Sequence, residues 1–448
     1  MYLDGRICYN ENIKFKEAFM ENPQFKNGQY IYDLVKEVID VTGPRLPGSE
    51  EEKIGAKIVA DQIKRELNTQ PITEEFKTPR HACISAIPWL GWGCFLSFCL
   101  FYLSPAAALA GTAFLLFFAL THIFYYSHML DPLFKKDVSQ NVYGVIPPKS
   151  GNAKYNIMLT AHIDSSWCWL HSLHNANTMI IKVAIGVLSA LILLVVSLIT
   201  LILEAKAGLS VSFMALKDIV TNLAEGNKVG IEVAILVFYC LPLLCLPGFY
   251  FLSQYLSYSK EKAAPGAMDN LSGVATAIKV AKHFAEEDTD TAKDARFIVV
   301  GTGAEESGLV GALAFVKKHK DNKELLNDDT YVLNLDSFRD YDNFNVVCKD
   351  SLQFVPFDKE LIELSRQAID NCNLESHLIE NPIGGSDSTA FARAGFKTVT
   401  INAQDPRPTD YYHTTKDGLD NLNLDTLEKG YEVVNELIRL IDKKYTDK

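Results

Sequence analysis

The feature that most constrains this chain is a set of four long apolar stretches within an otherwise polar sequence. They lie at residues 87–103, 106–126, 183–203 and 234–252. A helix of about 20 apolar residues crosses the hydrocarbon core of a bilayer, and the four stretches approach or reach that length. A very apolar soluble core is the alternative explanation, but charge-free runs of this length are rare in globular helices. The sequence therefore predicts four transmembrane helices.

The four predicted helices pair into two helical hairpins, which together cross the membrane an even number of times. The residues outside the hairpins then lie on one side of the membrane and can form one soluble domain. This interpretation divides the chain into soluble parts at 1–80, 135–178 and 257–448 and hairpins at 81–134 and 179–256. Within the second hairpin, the apolar spacing over 210–225 predicts a short amphipathic helix at the membrane interface, with an ordinary loop helix as the alternative.

Basic residues near the predicted spans indicate an orientation. Those on the side of the soluble domain are Lys77, Arg80, Lys135, Lys136, Lys182, Lys260 and Lys262, and those on the opposite side are Lys206, Lys217 and Lys228. Positive charge is enriched on the cytoplasmic side of membrane proteins. The first residues also lack the unbroken apolar stretch of a cleaved secretory signal. We therefore expect a multi-pass protein of the cell membrane whose soluble domain is cytoplasmic.

Composition narrows the kinds of partner and site. Lys plus Arg number 43 and Asp plus Glu number 55, so the net charge is −12, and no basic run stands out. A nucleic acid is therefore not an expected partner. The nine cysteines are an odd number and lack C-x-x-C spacing. This usage favours a reducing compartment and argues against a thiolate metal site.

The soluble parts alternate between helical patterns and short apolar strands. Strands are predicted at 156–160, 296–300, 331–335, 344–347 and 398–401. Helices are predicted at 31–41, 50–66, 272–286, 309–318, 358–369, 386–394 and 424–441. This alternation predicts an α/β sandwich around a mixed, largely parallel sheet. In such sheets functional residues gather beyond the carboxyl ends of the strands.

Acidic residues and histidines recur after the predicted strands and at the start of one helix. The set comprises His162, Asp164, Asp269, Glu305, Glu306, Asp336 and His413. Each has an ordinary explanation by itself, for example Asp269 as a helix cap, or Glu305 and Glu306 as the first turn of a helix. Imidazole and carboxylate groups together, however, are ligands of Zn, Mn, Co or Fe in hydrolytic sites. Their recurrence after successive strands favours a metal site.

Seven ordered motifs extend this pattern across the soluble parts. They are GPRLPGSEEE at 43–52, HID at 162–164, GAMDNLSG at 266–273, AEESGLVGA at 304–312, NLDS at 334–337, GGSDSTAF at 384–391 and YHTTKD at 412–417. In this order the sequence resembles the co-catalytic zinc peptidases of metallopeptidase family 28, which include bacterial and vacuolar aminopeptidases and glutamate carboxypeptidase. The resemblance implies a zinc-exopeptidase-type α/β/α sandwich, interrupted here by the two inserted hairpins.

The resemblance also implies a metal centre. It implies that Asp269 bridges two zinc ions, with His162 and Asp336 on one ion and Glu306 and His413 on the other. Two divalent ions about 3.5 to 4 Å apart activate a water molecule and polarise the scissile carbonyl group. Such chemistry fits a site without a catalytic serine or cysteine. The same ligand set can also bind other divalent metals.

Three further roles follow from the resemblance. It implies that Glu305 is the general base, that Asp164 orients His162, and that Tyr412 assists the oxyanion, although Tyr412 also has a purely structural explanation. Adjacent residues on a turn project in different directions, so Glu306 can bind metal while Glu305 takes a proton from the water and passes it to the leaving amine. A carboxylate on the far nitrogen of His162 would fix its tautomer.

This sequence departs from the family in the interval between HID and GAMDN. Family members usually cross this interval with a short loop, whereas here it carries the second hairpin. About 15 residues connect the end of HID to that hairpin, and at about 3.4 Å each they reach at most about 50 Å. We therefore expect the catalytic mouth to face the membrane surface.

The predicted function is a membrane-anchored, zinc-dependent exopeptidase that acts on peptides, most specifically an aminopeptidase. One alternative is an inactive receptor or scaffold that retains the peptidase fold; the complete ligand set argues against it. A transporter would require ionisable groups or broken segments within the spans. Within enzymes, a carboxypeptidase or a glutaminyl cyclase of the same fold remains an alternative.

Overall fold

A mixed β-sheet forms the centre of the soluble part of the chain. The structure is a computed structural model that describes residues 25–207, 220–221, 224–225, 231–257, 260–288, 290–382 and 384–446. Within these residues the strands are β1 (Ile72–Thr78), β2 (Asp137–Ile146), β3 (Tyr155–His162), β4 (Ala295–Thr302), β5 (Thr330–Phe338), β6 (Phe344–Asp350), β7 (Val355–Pro356), β8 (His377–Asn381) and β9 (Lys397–Ala403). The sheet order is β1-β2-β4-β3-β5-β9-β6-β7, and β8 pairs with β6.

The middle of this sheet is parallel and its edges are mixed. Strand β3 pairs in parallel with β4 and β5, and β5 pairs in parallel with β9. Strand β2 runs antiparallel to β1 and β4, and β6 runs antiparallel to β9. The predicted strands all form, so the predicted α/β fold is confirmed. Strands β1, β2, β7 and β8 were not predicted.

Helices cover both faces of the sheet. The α-helices of the described residues are α1 (Lys26–Thr42), α2 (Glu50–Leu67), α3 (Ile87–Phe101), α4 (Pro105–Phe118), α5 (Leu170–Ala207), α6 (Ile231–Cys240), α7 (Leu246–Ser253), α8 (Gly273–Lys282), α9 (Val310–His319), α10 (Lys359–Asn371), α11 (Ser388–Arg393) and α12 (Leu424–Thr446). On β3, Ile157 and Leu159 pack with α1, α2, α8 and α12, whereas Met158 packs with α9 and α11 on the other face. Successive side chains of a strand point to opposite faces, so β3 separates two helical layers.

Four helices in the described part of the chain are long and apolar enough to cross a membrane. These candidate spans are Ile84–Phe101, Pro105–Phe124, Leu170–Lys206 and Leu236–Ser253. They overlap the four predicted helices. The third is much longer than predicted, because its helix starts at Leu170 and continues past a kink at Asn175. The predicted interfacial helix at 210–225 lies almost entirely outside the described residues.

The candidate spans pack through small residues. A Cβ atom on Gly91 would come within 2.4 Å of the backbone nitrogen of Ser253, and one on Gly248 within 2.2 Å of the Ser189 hydroxyl. Small residues let helix backbones approach closely where lipid offers no hydrophobic drive for association. Glycine at these two positions therefore allows the first and third spans to pack closely against the fourth.

The third and fourth spans are less regular than their sequences indicate. A 3₁₀ turn at Leu241–Cys245 interrupts the fourth span between α6 and α7. Pro242 lies in this turn, and proline lacks the N–H group that a continuous helix needs. In the third span Glu204 is buried and accepts a hydrogen bond of 2.9 Å from the Tyr239 hydroxyl. Glu204 directly follows the predicted span at 183–203, which itself has no charged residue, and the predicted span at 234–252 is interrupted by the turn.

Candidate active site

Three adjacent parallel strands place residues together at their carboxyl ends, along one side of the sheet. Strand β3 ends at His162, β4 ends just before Glu305, and β5 contains Asp336 near its carboxyl end. These strands are neighbours in the order β4-β3-β5. Because the carboxyl ends of parallel strands meet at the same edge, the residues that follow them come together there.

Asp269 lies at the centre of this edge. Its Oδ1 atom is 2.9 Å from Nε2 of His162, and its Oδ2 atom is 2.9 Å from Nε2 of His413. Nε2 of His413 is also 3.0 Å from Oε1 of Glu306. One carboxylate group thus joins two histidines that are 251 positions apart in the chain, at 162 and 413.

The predicted ligands form two groups that share Asp269. One group is His162, Asp269 and Asp336, and the other is Asp269, Glu306 and His413. In each group the potential donor atoms all lie within 4.8 Å of one another. All five side chains are buried except that of Asp336, which is half-buried. The structure therefore brings together the residues predicted as ligands, in the same two groups.

Asp164 supports the loop at residues 303–309, which carries Glu305 and Glu306 and which we call the glutamate loop. Its Oδ1 and Oδ2 atoms accept backbone N–H groups of Glu305 and Glu306, both at 3.0 Å. Nδ1 of His162 lies 3.1 Å from the carbonyl oxygen of Asp164 and 3.5 Å from its Oδ1 atom. The contact with His162 is therefore made mainly by the backbone, and the carboxylate binds the glutamate loop. This second contact was not predicted from the sequence.

Asn270, directly after Asp269, fixes the position of Asp336. Its amide nitrogen donates to the carbonyl oxygen of Leu335 at 2.9 Å, and its side-chain oxygen accepts the N–H of Ser337 at 3.2 Å. These two partners are the neighbours of Asp336 on either side. Ser337 has a φ of 65°, a left-handed conformation that non-glycine residues seldom adopt. The Asn270 side chain thus holds a turn that presents Asp336 to the site.

Arg45 and Asp417 connect the loops of the site, and sequence reasoning missed both. Arg45 is completely buried and donates to carbonyl oxygens of Gly43, Ile163, Pro265 and Gly266, at 2.8, 2.8, 2.8 and 3.0 Å. The carboxylate of Asp417 accepts the N–H groups of Met268 and Asp269, at 2.8 and 3.2 Å. Both residues lie in motifs that carry the resemblance, which was the available signal.

Glu52 holds the other side of the glutamate loop and was also missed. Its carboxylate accepts the N–H of Ala304 at 2.8 Å, the N–H of Gly48 at 2.6 Å and the hydroxyl of Ser139 at 2.8 Å. Ala304 has a φ of 51° and directly precedes Glu305. Burial, together with the nearby Asp164 carboxylate, raises the pKa of Glu52 to about 8. This buried carboxyl group therefore positions the backbone from which Glu305 projects.

The site concentrates acidic groups in a buried place. Burial, with the negative charges of Glu306 and Asp336 nearby, raises the pKa of Glu305 well above its usual range. Burial and Asp269 raise the pKa of Asp336 to about 7. Burial alone would lower the pKa of His413, but Glu306 and Asp269 raise it to about 10. A bound cation would relieve the repulsion among these carboxylates.

The donor set fits zinc. Oε1 of Glu306 is buried and makes no regular hydrogen bond among the described residues, although it lies 3.0 Å from Nε2 of His413. Buried polar atoms are ordinarily well paired, so a carboxylate oxygen and an imidazole nitrogen that converge without a regular hydrogen bond fit two ligands of one cation. Two groups of histidine and carboxylate donors, without cysteine, match the ligand chemistry of catalytic zinc. The eight cysteines in the described part of the chain are all free.

Aromatic rings cover the His413 side of the site. The ring of Tyr412 stacks on that of His413 with 4.0 Å between centroids, and the Trp169 ring meets His413 edge-on at 4.4 Å. Burial and the negative charge of Asp269 raise the pKa of Tyr412 well above its usual range. The Tyr412 hydroxyl therefore stays protonated and can donate a hydrogen bond. Sequence reasoning did not predict the position of Trp169.

Comparisons with known proteins agree with this fold. Residues 255–438 match the family model described as Peptidase family M28. The aminopeptidase YwaD of Bacillus subtilis (strain 168) is 27% identical over 194 residues, which are 42% of this chain and 40% of that protein. This chain thus matches less than half the length of that curated relative.

Solved structures extend the likeness to most of the chain. A zinc aminopeptidase from Bacillus subtilis superposes with a TM-score of 0.51 and 14% identity, over 93% of this chain and 95% of the other. An aminopeptidase from Aneurinibacillus sp. strain AM-1 superposes with a TM-score of 0.50 and 12% identity, over 92% and 94%. At these identities the likeness establishes the fold alone. The fold and the match of residues 255–438 to the Peptidase family M28 model therefore agree with each other.

Proposed function

We propose that this protein is a membrane-anchored, zinc-dependent aminopeptidase that hydrolyses N-terminal residues of short peptides. The observation that carries the proposal is the shared carboxylate of Asp269, whose two oxygens each lie 2.9 Å from a histidine Nε2 atom. This geometry supports two zinc ions, one held by His162, Asp269 and Asp336 and one by Asp269, Glu306 and His413. The four candidate spans support the membrane anchor.

In the proposed mechanism bound zinc supplies polarisation of the peptide carbonyl and activation of water. Glu305 accepts the proton of the attacking water and passes it to the nitrogen of the leaving amine. To act as a base Glu305 must start ionised, and a nearby bound cation would favour its ionised form against the burial and acidic neighbours that raise its pKa. Asp164 and Glu52 fix the backbone on both sides of Glu305, so that its carboxylate is positioned before substrate binds.

Tyr412 is proposed to stabilise the developing negative charge on the carbonyl oxygen. Its ring is fixed by stacking on His413 and by the edge of Trp169, at 5.6 Å between centroids. A preorganised hydroxyl donor can stabilise an oxyanion because it does not have to reorient during the reaction. Tyr412→Phe would then lower kcat more than it raises KM.

The decisive variant is Glu305→Gln. It removes the proton carrier without removing a proposed ligand, so we expect zinc content to stay at the wild-type level and kcat to fall by about 10² to 10⁴. Zinc is measured on detergent-purified protein, and turnover is measured on aminoacyl-coumarin substrates. Glu306→Gln should instead lose zinc, and Glu363→Gln, on an exposed helix surface, should change neither. Full activity in Glu305→Gln would refute the role of this residue.

Blocked substrates separate the alternatives. An aminopeptidase cleaves a peptide with a free N-terminus and an amidated C-terminus, but not the same peptide after N-acetylation. The reverse pattern would identify a carboxypeptidase. Loss of ammonia from an N-terminal glutamine without peptide cleavage would identify a glutaminyl cyclase. An inactive scaffold would process none of these substrates with its zinc bound.

The membrane topology is part of the proposal. We propose that the peptidase domain is assembled from 1–80, 135–178 and 257–448 and faces the cytoplasm, as the distribution of basic residues suggests. Protease digestion of right-side-out and inverted vesicles checks this orientation. Digestion of the domain in right-side-out vesicles would place it on the outer side instead.

A further inference from the structure

The first hairpin begins and ends beside the glutamate loop. Its first candidate span starts at Ile84, directly after Cys83, and its second ends at Phe124, two residues before Tyr126. Cys83, Tyr126 and Leu309 form one buried cluster. A Cβ atom on Gly308 would lie 3.2 Å from the Tyr126 ring and 3.3 Å from the Cys83 sulfur. The ends of this hairpin, residues 83–84 and 124–126, form what we call the first neck. The first neck therefore packs directly on the loop that carries Glu305.

The end of the same hairpin makes polar contacts with the peptidase domain. Nε2 of His128 lies 2.9 Å from the carbonyl oxygen of Gly308. The side-chain nitrogen of Gln353 donates to the carbonyl oxygen of Phe124 at 2.7 Å. The Tyr126 hydroxyl lies 3.5 Å from the position of a Cβ atom on Gly384. Tyr126 thus lies between the glutamate loop and the loop that contains the GGSDS motif.

The second hairpin begins and ends beside His413. Trp169, one residue before α5 begins, donates its backbone N–H to the carbonyl oxygen of His413 at 2.7 Å. Trp169 also pairs with Leu256, three residues after the fourth span ends at Ser253. Ile84 of the first hairpin packs against Trp167, Tyr255 and Leu256. We call the ends of the second hairpin, residues 167–169 and 254–256, the second neck. The two necks therefore contact each other next to the site.

These connections place the site close to the ends of the spans. Two residues reach at most about 7 Å and three reach about 10 Å, so Tyr126 and Leu256 are within those distances of Phe124 and Ser253. Tyr126 touches the glutamate loop, and Leu256 pairs with the residue that contacts His413. Whatever the tilt of the helices, both walls of the site are tied to the membrane boundary by very short segments.

The surface next to the first neck is suited to lipid. Tyr125 is 41% exposed, Met129 54%, Leu133 74% and Phe354 74%. The rings of Tyr125 and Phe354 lie 6.2 Å apart, so a residue of the peptidase domain extends the apolar surface of the hairpin. Lys135, directly beyond these residues, has an 88% exposed side chain. Exposed aromatic and basic side chains beside a span are typical of the interface between lipid and water.

We propose that this site acts on peptides bound to the bilayer surface, whose free N-termini reach it from the headgroup layer. The inference rests on the proposed function and deepens it by naming the substrate class, an apolar or amphipathic peptide whose remaining length lies in the headgroup layer. A site tied to the ends of the candidate spans on both sides is within reach of a chain lying along the bilayer. Trp169 is partly exposed beside His413 and can contact such a peptide, whereas Tyr126 is buried and supports the glutamate loop from behind.

Peptides tethered to lipid measure the distance between the site and the bilayer. The full-length protein is reconstituted in vesicles of phosphatidylcholine and phosphatidylglycerol. Substrates have an N-terminal leucine with a free amine, a spacer of 6 or 24 residues, and an acylated C-terminal lysine inserted in the same vesicles; the 6-residue peptide without the acyl chain is the soluble reference. Six residues reach only about 20 Å. We expect the two tethered peptides to release leucine at rates within about threefold of each other.

Two other outcomes have distinct meanings. If the 24-residue and soluble peptides are hydrolysed but the 6-residue tethered peptide is at least tenfold slower, the site is too far from the bilayer and the inference is wrong, while the proposed function stands. If no peptide is hydrolysed by zinc-loaded protein, the proposed function fails and the substrate class fails with it.

A spectroscopic measurement tests the position of the neck without relying on activity. Phe354→Cys carries a fluorescent label beside the first neck, outside the catalytic machinery. Asp328→Cys carries the same label just before the start of β5, at a side chain that is 89% exposed. This position lies at the amino end of the strand, whereas Asp336 lies near its carboxyl end. Lipids with a nitroxide headgroup should quench the label at 354 several-fold more than the label at 328. Equal quenching at both positions would overturn the inference.

Discussion

At the scale of single residues, Arg45 shows how the site depends on side chains that never touch substrate. Its guanidinium group is completely buried and donates to four backbone carbonyl oxygens, three from the two loops that carry His162 and Asp269 and one from Gly43. Burial lowers the pKa of Arg45 to about 10, while Asp417 and Asp164 oppose that shift. The side chain therefore remains charged at neutral pH. Its planar group of donors can bind several carbonyls at once, which an ammonium group cannot.

We expect Arg45→Met to lower the free energy of unfolding by about 3 kcal/mol. The variant leaves several buried carbonyl oxygens without a donor, and each unsatisfied group has a desolvation penalty. Arg45→Lys should recover only a small part of the loss. The measurement is the melting temperature in detergent with zinc bound. Arg65→Met is the matched control, because Arg65 is half exposed and pairs with Glu37 and Glu66 at the surface. Equal melting of the Arg45→Met and Arg65→Met variants would contradict this account.

At the scale of elements, Glu66 joins three helices on one face of the sheet. It lies in α2, accepts a hydrogen bond from Tyr30 in α1, and pairs with Lys282 of α8 at 2.9 Å. Burial alone would raise the pKa of Glu66, but its hydrogen bonds with Tyr30, Arg65 and Lys282 lower it to about 2. The folded protein therefore stabilises the ionised form of Glu66 relative to the unfolded chain.

This difference gives a stability contribution with a defined pH dependence. The folded pKa of about 2 lies below the ordinary value of 4.5, so the contribution is complete above about pH 4.5 and is lost as the pH falls toward 2. We expect Glu66→Gln to be less stable than wild type by about 2 kcal/mol at pH 7. The gap should narrow in denaturation curves recorded below pH 4.5. Glu37→Gln, at a more exposed carboxylate, should show a smaller gap at pH 7. A Glu66→Gln gap that stays constant down to pH 3 would contradict the assignment.

The elements that sequence reasoning missed share a physical reason. Strand β1 reads ITEEFKT and has mostly exposed side chains, because it lies at the edge of the sheet. Strand β2 is largely buried but contains Ser139, Gln140 and Asn141, whose polar side chains do not form an apolar run. Their burial is explained by partners distant in sequence: Ser139 bonds Glu52, and Asn141 bonds the carbonyl oxygen of Gly311 at 2.9 Å. Such long-range pairing leaves no local pattern. The central strands are apolar on both faces, and this local pattern was enough to predict them.

At the scale of the whole molecule, the convergence of the proposed ligands was predictable from the sequence, whereas the contacts of Arg45, Asp417 and Glu52 were not. His162, Glu305 and Asp336 follow strands that neighbour one another, so fold topology alone brings them together. Arg45, Asp417 and Glu52 act through backbone groups, and no rule of composition or spacing distinguishes them from surface charges. Trp169 and Tyr126 take their positions from the two segments that carry the candidate spans. Their contacts depend on how those segments pack against the sheet and its helices.

The last prediction concerns what holds these distant segments together. The proposed ligands come from five segments between residues 162 and 413, and several are acidic groups that repel one another in a buried place. A ligand that binds only the folded state stabilises it by about 4 kcal/mol at 1,000 times its dissociation constant. Removing zinc with a chelator should therefore lower the melting temperature of the detergent-purified protein by several degrees, and added zinc should restore it.

Glu305→Gln, which keeps every proposed ligand, should respond as wild type does. His413→Ala should already melt low and respond little to the chelator. A melting temperature that ignores chelation in the wild-type protein would show that the acidic cluster is stable without a cation, and the proposed metal centre would then be wrong.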